Sequence, residues 1–406
     1  MLGHLDFGVE IEILLAPRST TFLNTLRAKG WDKTVDSQLR PGEYSGGRHP
    51  ALQSKNRQAF RSAVATTLHQ DGIKTVAVDS SDKATDFSAW TVVDDESVGE
   101  LPGFWRVELV SRVLSTRGDW QRELNQVFDT LRAECYIKST NDCSMHVHVS
   151  PGQVTFDNAQ IRDICKAVIY FDDAITRVMP ADRKDNPWAK SNCLPEHPVK
   201  GDPDWARCGQ SVNPKIKRYY SQVPTVTFAP LWKLFDKITW KTVSDTMSDR
   251  QGDRARYLSW NFENITKQCG TLEFRRPPGA ASSRDANHWV AFALGFVSQA
   301  VSTKWDTVET RTSGGSVADL QTFVVQGLKR LPPQCYAALG GIKEDTSPPR
   351  RISPEELLRI EALKRQKGKT ASPYAAKASS RPSTPTSSAS SSPSLGRSSP
   401  SGWGNR

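Results

Sequence analysis

The sequence predicts an α+β fold with a mostly antiparallel sheet. Short segments with an apolar residue at every second position occur between longer segments of helical periodicity. These segments do not follow the steady strand–helix–strand rhythm that indicates a parallel sheet. At 406 residues, the chain is long enough for one large folded domain and a separate terminal segment.

The predicted strands and helices can be taken in chain order. Strands are predicted over residues 5–14, 90–98, 105–114, 144–150, 257–262 and 271–276. Helices are predicted over residues 57–69, 120–133, 158–178, 229–238, 287–302 and 317–328. The stretch 180–223 is rich in Pro, Asn, Lys and Asp, and is predicted to be a long loop of the kind that often binds substrate.

The C-terminal part of the chain differs in composition from the rest. Residues 371–406 contain thirteen Ser with interspersed Pro and few residues that could be buried, so we expect a disordered tail. Before it, Ser353, Pro354 and Glu356 form a helix start signal, and the helix either packs on the core or stands free. We therefore divide the chain into a domain, a short helix with a linker, and a tail, at 1–345, 346–370 and 371–406.

The positive charge of the chain is concentrated near its C-terminus. The formal net charge is +10, but residues 346–406 hold eleven Lys and Arg against three Glu, which leaves +2 for residues 1–345. A groove for nucleic acid needs its own positive patch. We therefore expect no nucleic-acid partner for the domain, whereas the basic tail, with its Ser-Pro and Thr-Pro pairs, is a candidate for binding regulatory partners.

The sequence indicates a reducing compartment. It contains no run of eighteen apolar residues and no basic segment followed by an apolar one at the N-terminus. The seven Cys are an odd number, and none has CxxC spacing. We expect a soluble cytoplasmic protein, with the nucleus also open, that has no membrane partner, disulfide framework or zinc finger.

The first predicted strand places two acids on one face. A period of two turns Val9 and Ile11 to one side and Glu10 and Glu12 to the other. Carboxylates about 7 Å apart repel each other unless water or a cation lies between them. For this pair alone, a solvated edge strand is the more ordinary explanation.

Three further strands carry acids. Asp95 lies near the end of strand 90–98, and Glu108 interrupts an apolar run. An acid in such a run needs a cation or an arginine as its partner, because an unpaired buried carboxylate would become protonated. Near the end of the domain, Glu273 and Arg275 share one strand face, although a surface ion pair would have the same pattern.

Strand 144–150 carries two histidines. His146 and His148 share a face, so both can face a metal, although a single histidine such as His148 is more often a core residue. Together with the acids they form an oxygen-rich set that favours Mg²⁺ or Mn²⁺ over zinc. Such a set suits ATP, with Arg275 or Arg256 stabilising charge on a transferred phosphoryl group. The sequence has no P-loop or Rossmann glycine pattern.

Read in chain order, these segments resemble the putative amidoligase family, which belongs to the glutamine synthetase-like carboxylate-amine ligases. The matching motifs are FGVEIE at 7–12, Asp95-x-Ser97, VELVS at 107–111, MHVHV at 145–149, Arg256-Tyr257 with Asn261, and TLEFR at 271–275. The resemblance implies a glutamine synthetase-like catalytic fold in residues 1–345, with a curved sheet around a funnel. It also implies ATP, Mg²⁺ or Mn²⁺, an acyl phosphate, and amide formation between a small-molecule or peptide carboxylate and an amine.

The resemblance further implies two metal sites. The ligands of the first would be Glu12, Asp95 and Glu108. The ligands of the second, on the phosphate side, would be Glu10, His146 and Glu273.

Five more residues receive roles from the resemblance. His148 would lie near the nucleotide, and Arg256 and Arg275 would be the catalytic arginines. Arg183 and Asn261 would contact the substrate.

The residues by themselves also allow two other functions. One is a metal-dependent hydrolase with a metal-bound water, and the other is a non-catalytic scaffold that binds partners through its tail.

Overall fold

The structure is a computed structural model, and it describes residues 3–32, 50–78, 87–152, 155–193, 215–216, 226–248, 255–267 and 270–369. The contacts group residues up to Ala371 into one compact unit. The predicted tail lies outside the described residues, as does most of the predicted loop 180–223.

One sheet runs through the described part of the chain. Its nine strands are β1 (Asp6–Pro17), β2 (Thr75–Ala77), β3 (Trp90–Val93), β4 (Trp105–Val110), β5 (Leu114–Ser115), β6 (Cys135–Lys138), β7 (Met145–Ser150), β8 (Trp260–Asn261) and β9 (Leu272–Phe274). Their order is β2-β3-β4-β1-β7-β9-β8, while β5 and β6 pair with the two ends of β1. The β2–β3 pair is parallel and the others are antiparallel, so the α+β prediction is confirmed, with a mixed sheet.

Twelve α-helices accompany the sheet in the described residues. They are α1 (Thr20–Ala28), α2 (Pro50–Gln70), α3 (Trp120–Glu134), α4 (Asn158–Tyr170), α5 (Asp172–Arg177), α6 (Ala181–Lys184), α7 (Ala229–Phe235), α8 (Val243–Met247), α9 (Ser283–Ala300), α10 (Val317–Leu328), α11 (Pro333–Ala337) and α12 (Pro354–Lys369). The predicted helix 317–328 has the observed bounds. The short helices α6, α8 and α11 were not predicted, nor was α1, although Ser19 caps it by accepting a hydrogen bond from Phe22 N.

Predicted strands 90–98 and 257–262 are among those that are shorter in the structure. Strand 90–98 ends at Val93, because the Asp95 carboxylate accepts hydrogen bonds from Ser97 N at 2.6 Å and Ser97 Oγ at 2.5 Å and so forms a turn. In the predicted strand 257–262, only the two residues of β8 belong to the sheet. The chain just before them forms a short 3₁₀ helix, Ala255–Tyr257, so Arg256 lies on a turn.

The predicted helix 158–178 is broken into α4 and α5 at Phe171. The carbonyl of Tyr170 accepts a hydrogen bond from Gly315 N at 3.0 Å. A helix tends to end where a carbonyl accepts its hydrogen bond from a residue outside the helix. The break therefore depends on a residue distant in sequence.

The core lies on one face of the sheet, where helices cover it. Phe7 of β1 packs edge-on against Trp120 of α3, with ring centroids 5.3 Å apart. Phe274 of β9 stacks on Phe292 of α9 at 5.4 Å. Because strand residues alternate between faces, this apolar face leaves the acidic residues of β1 on the opposite face.

The C-terminal helix α12 packs on the domain. Ile360, Glu361 and Lys364 are buried, whereas Leu358 is 57 % exposed. The helix therefore does not stand free, and its buried face includes two charged residues.

No helix of the described residues is long and apolar enough to cross a membrane. The cysteines in the same part of the chain are free and buried.

Candidate active site

Glu10 and Glu12 of β1 lie between the neighbouring strands β4 and β7. Glu10 is paired with His146 of β7, and Glu12 is paired with Glu108 of β4. Directly opposed residues of antiparallel strands have Cβ atoms roughly 5 Å apart. The sheet register therefore places these side chains next to one another on one face.

The same face continues onto β9 and β8. His148 of β7 is paired with Glu273 of β9, and Glu273 is paired with Asn261 of β8. The flanking residues Leu272 and Phe274 are fully buried on the core side. Acidic, imidazole and amide groups thus form a continuous row across the sheet.

Glu12, Asp95 and Glu108 form a group that could hold a metal ion. One ligand atom from each lies within 4.8 Å of the other two. These are the residues of the first predicted ligand set, and their binding of a metal stays a prediction. Glu12 is buried, and its Oε2 accepts hydrogen bonds from Ser144 N and Ser144 Oγ, both at 2.7 Å. These bonds orient the carboxylate and offset the cost of burying it.

Glu10 belongs to two more groups of the same size. One contains Glu108 and His146, and the other contains His148 and Glu273. The second predicted set was Glu10, His146 and Glu273, and it is thus divided between these two groups. His146 Nδ1 nevertheless lies 2.8 Å from Glu10 and 3.6 Å from Glu273. His148 joins the side chains that could bind metal, and its nucleotide contact stays a prediction.

Glu10 and His148 alter each other's protonation. Burial would raise the pKa of Glu10, but the charge of the nearby His148 and the hydrogen bond with His146 lower it well below its ordinary value. Burial would lower the pKa of His148, but the negative charges of Glu10 and Glu273 raise it. In the metal-free protein, His148 therefore keeps its proton to a higher pH than a free imidazole does, and a metal ion would compete with that proton.

Glu273 is held by several partners. Arg275 pairs with Oε1, while Asn261 Nδ2 donates to Oε2 at 2.7 Å and Asn264 Nδ2 does so at 3.4 Å. Burial would raise the pKa of Glu273, but the charges of Arg275 and His148 lower it. Asn261 thus orients Glu273, and its predicted contact with the substrate stays a prediction.

The two predicted catalytic arginines share one aromatic ring. Arg256 Nη2 donates to the Tyr257 hydroxyl at 2.7 Å, and its Cζ lies 4.9 Å from the centroid of the Tyr257 ring. Arg275 Cζ lies 5.9 Å from the same centroid. Tyr257 is buried, so these cation–π contacts are partly shielded from water and are stronger for it.

Arg183 contacts the backbone just after the C-terminal end of β9. It is 1 % exposed, and its guanidinium donates to the carbonyls of Arg276 at 3.0 Å and Arg275 at 2.8 Å. Burial lowers the pKa of Arg183 to about 10. Arg183 therefore supports the backbone that carries Arg275, and its predicted contact with the substrate stays a prediction.

Several residues around the site received no predicted role. Ser144 shares a strand face with His146, so the alternation contained a signal for it. Tyr257 belongs to the Arg256-Tyr257 motif, the signal for Trp188 and Asn264 was proximity to a predicted residue at most, and Lys364 of the distant helix α12 had none. These other residues are Trp188, Tyr257, Asn264 and Lys364.

The region that contains the site matches a known protein family. The family described as putative amidoligase enzyme matches residues 4–297. The chain belongs to the putative amidoligase family. The predicted resemblance is confirmed, and membership of this amidoligase family indicates a ligase. Every predicted site residue lies within the matched region, whereas α12 lies beyond it. No curated protein matches the chain.

Proposed function

We propose that this amidoligase-family protein is an ATP-dependent carboxylate-amine ligase with a glutamine synthetase-like catalytic fold. The observation that carries the proposal is the set of three adjoining metal-capable groups along one sheet face and the turn of Asp95, joined through Glu10 and Glu108. Family membership supports the ligase class. The proposed cofactors are ATP and Mg²⁺ or Mn²⁺, and the proposed substrates are a small-molecule or peptide carboxylate and an amine.

The donor atoms suit Mg²⁺ or Mn²⁺. Carboxylates outnumber imidazoles in the three groups, and hard divalent ions prefer oxygen ligands. The lowered pKa values of Glu10 and Glu273 keep both side chains ionised at neutral pH, as metal ligands must be. When bound, such ions neutralise the phosphate oxygens of ATP.

The protein would act by positioning the reactants and stabilising charge. An oxygen of the substrate carboxylate attacks the γ-phosphorus of ATP, and ADP leaves. The amine nitrogen then attacks the acyl carbon, phosphate leaves, and the nitrogen loses a proton to give the amide. Arg256 and Arg275, next to the Tyr257 ring, would stabilise the charge of the phosphoryl group and the substrate carboxylate. These steps need no covalent nucleophile from the protein.

Turnover of ATP tests the proposal. The full chain is incubated with ATP, Mg²⁺ and pools of amino acids and amines, and release of ADP and phosphate is measured. We expect release that requires both an acid and an amine, and we expect Glu12→Ala and Glu273→Ala to slow it by about a hundredfold or more. Glu344→Ala is the matched control, because Glu344 pairs with Arg177 at the surface.

Two results would argue against the ligase. If Glu12→Ala and Glu273→Ala released phosphate as fast as the wild type, the assignment would fail. Tight retention of zinc, together with no protection by ATP against heat, would instead favour a metal-dependent hydrolase.

A further inference from the structure

The helix α12 lies beyond the family-matched region, yet it contacts segments that flank the candidate active site. Arg359 Nη2 lies 3.5 Å from the carboxylate of Asp142, in the turn before β7. Gln366 Nε2 donates to Glu96 Oε2 at 3.3 Å, and Glu96 adjoins the metal-capable Asp95. The helix therefore packs alongside the row of candidate ligands.

Between these contacts, α12 buries a lysine. The side chain of Lys364 is 1 % exposed, and its Nζ donates to the carbonyl of Pro187 at 2.8 Å and pairs with Glu361 at 3.1 Å. The same Nζ lies 5.4 Å from the ring centroid of Trp188 and 5.0 Å from that of Tyr257. Burial of an ion pair is often less favourable than an apolar replacement, so packing alone does not account for this lysine.

The aromatic neighbours of Lys364 are the residues that contact the two arginines. The rings of Trp188 and Tyr257 meet edge-on, with centroids 5.3 Å apart. The carbonyl of Trp188 accepts a hydrogen bond from Arg275 Nε at 3.4 Å. The ring and hydroxyl of Tyr257 contact Arg256. A shift of either aromatic residue would therefore move an arginine.

Charge balance distinguishes the three cations around Tyr257. Lys364 is paired with Glu361, and Arg275 is paired with Glu273. Within the described residues, no carboxylate lies at ion-pair distance from Arg256, and its buried Nε has no hydrogen-bond partner there. An anion placed beside the Tyr257 ring would satisfy this guanidinium.

We propose that Lys364 is a positioning residue: through Trp188 and Tyr257 it holds Arg256 and Arg275 where they receive a phosphoryl group. The identity of this anion rests on the proposed function. The inference extends the working site from the family-matched domain to α12, which then contributes to anion binding without touching the metal-capable groups.

Phosphate binding to the full chain tests this inference. Inorganic phosphate is titrated by calorimetry in the presence of Mg²⁺ into wild type, Lys364→Met and the matched control Arg359→Met, which removes one positive charge from the exposed side of the same helix. We expect Lys364→Met to raise the dissociation constant about tenfold, or ~1.4 kcal/mol, and Arg359→Met to leave it within about twofold. Mn²⁺ affinity, followed by electron paramagnetic resonance, should not change in either variant.

A conservative variant separates positioning from general damage. Lys364→Arg keeps the cation and should restore most of the phosphate affinity. The inference is wrong if this variant is as weak as Lys364→Met, if Lys364→Met binds like wild type, if Arg359→Met loses as much, or if wild type binds no phosphate.

If Lys364→Met does not fold, Tyr257→Phe gives an independent test, because it removes the hydroxyl that accepts from Arg256 and keeps the ring. We expect weaker phosphate binding and unchanged Mn²⁺ affinity, and wild-type phosphate affinity would overturn the inference. Failure of the proposed function would look different: wild type would bind phosphate but release no ADP with any acid and amine.

Discussion

Glu10 connects the two histidines of the site through separate oxygens. Its Oε2 lies 2.8 Å from His146 Nδ1, and its Oε1 lies 3.2 Å from His148 Nε2. The hydrogen bond with His146 orients the carboxylate, and its charge stabilises the protonated form of His148. At this scale, proton and metal binding compete for the same few atoms.

We expect Glu10→Gln to lower the pKa of His148 in the metal-free protein. Burial favours the neutral ring, and glutamine removes one of the two negative charges that oppose this effect. NMR titration of the histidine ring signals measures the change, and Glu344→Gln serves as a control at a surface acid. A His148 titration that stayed as in wild type would contradict the expected coupling.

The same group links stability to pH. The pKa of His148 is raised in the folded protein, so its protonation contributes stability that is complete below the ordinary pKa and is lost as pH rises through the folded value. Glu10→Gln should therefore reduce the fall in stability with rising pH over this range.

At the scale of elements, the register of β1 determines the site. A slip of one residue would turn Glu10 and Glu12 into the core and would expose Val9 and Ile11. The buried face prevents this, since those apolar residues are fully or almost fully buried. The apolar pattern thus orients the acids.

The crossing of α9 and α10 is a second element-scale feature, and it depends on two glycines. A Cβ added to Gly327 would lie 1.8 Å from the carbonyl oxygen of Gly295. We expect Gly327→Ala to lower the free energy of unfolding by about 1–3 kcal/mol or more, since the helices would have to separate. Chemical denaturation measures the change.

Gly118→Ala is the control, because a Cβ there would lie 3.5 Å from its nearest neighbour, Ser115 O, an ordinary contact. If Gly327→Ala unfolded at the same denaturant concentration as the wild type, the close approach of the two helices would not be required for stability.

At the scale of the whole molecule, residues up to Ala371 form one unit that includes α12. We expect a chain that ends at Ala371 to melt at the wild-type temperature. A chain that ends at Ser353 should melt several degrees lower, because burial of Ile360 alone contributes about 1.5–3 kcal/mol. Differential scanning calorimetry compares the two, and equal melting temperatures would show that α12 adds nothing to the domain.

The sequence by itself determined which side chains share a strand face. A period of two is a local property, so Glu10 and Glu12 could be placed on one strand face without knowledge of the fold, and so could His146 and His148. The order of the motifs along the chain was also sufficient to identify the family. The ends of strands and helices were harder to predict, because the turn at Asp95 and the break near Phe171 depend on side-chain and long-range hydrogen bonds.

Only the tertiary structure decided which of these faces meet and what covers them. The pairing of Glu10 with His146 depends on register, and the division of the second predicted ligand set follows from the position of β9. Lys364 reaches Tyr257 because α12 packs on the domain. These contacts join residues far apart in the chain, and their free energy comes from burial that no local pattern specifies.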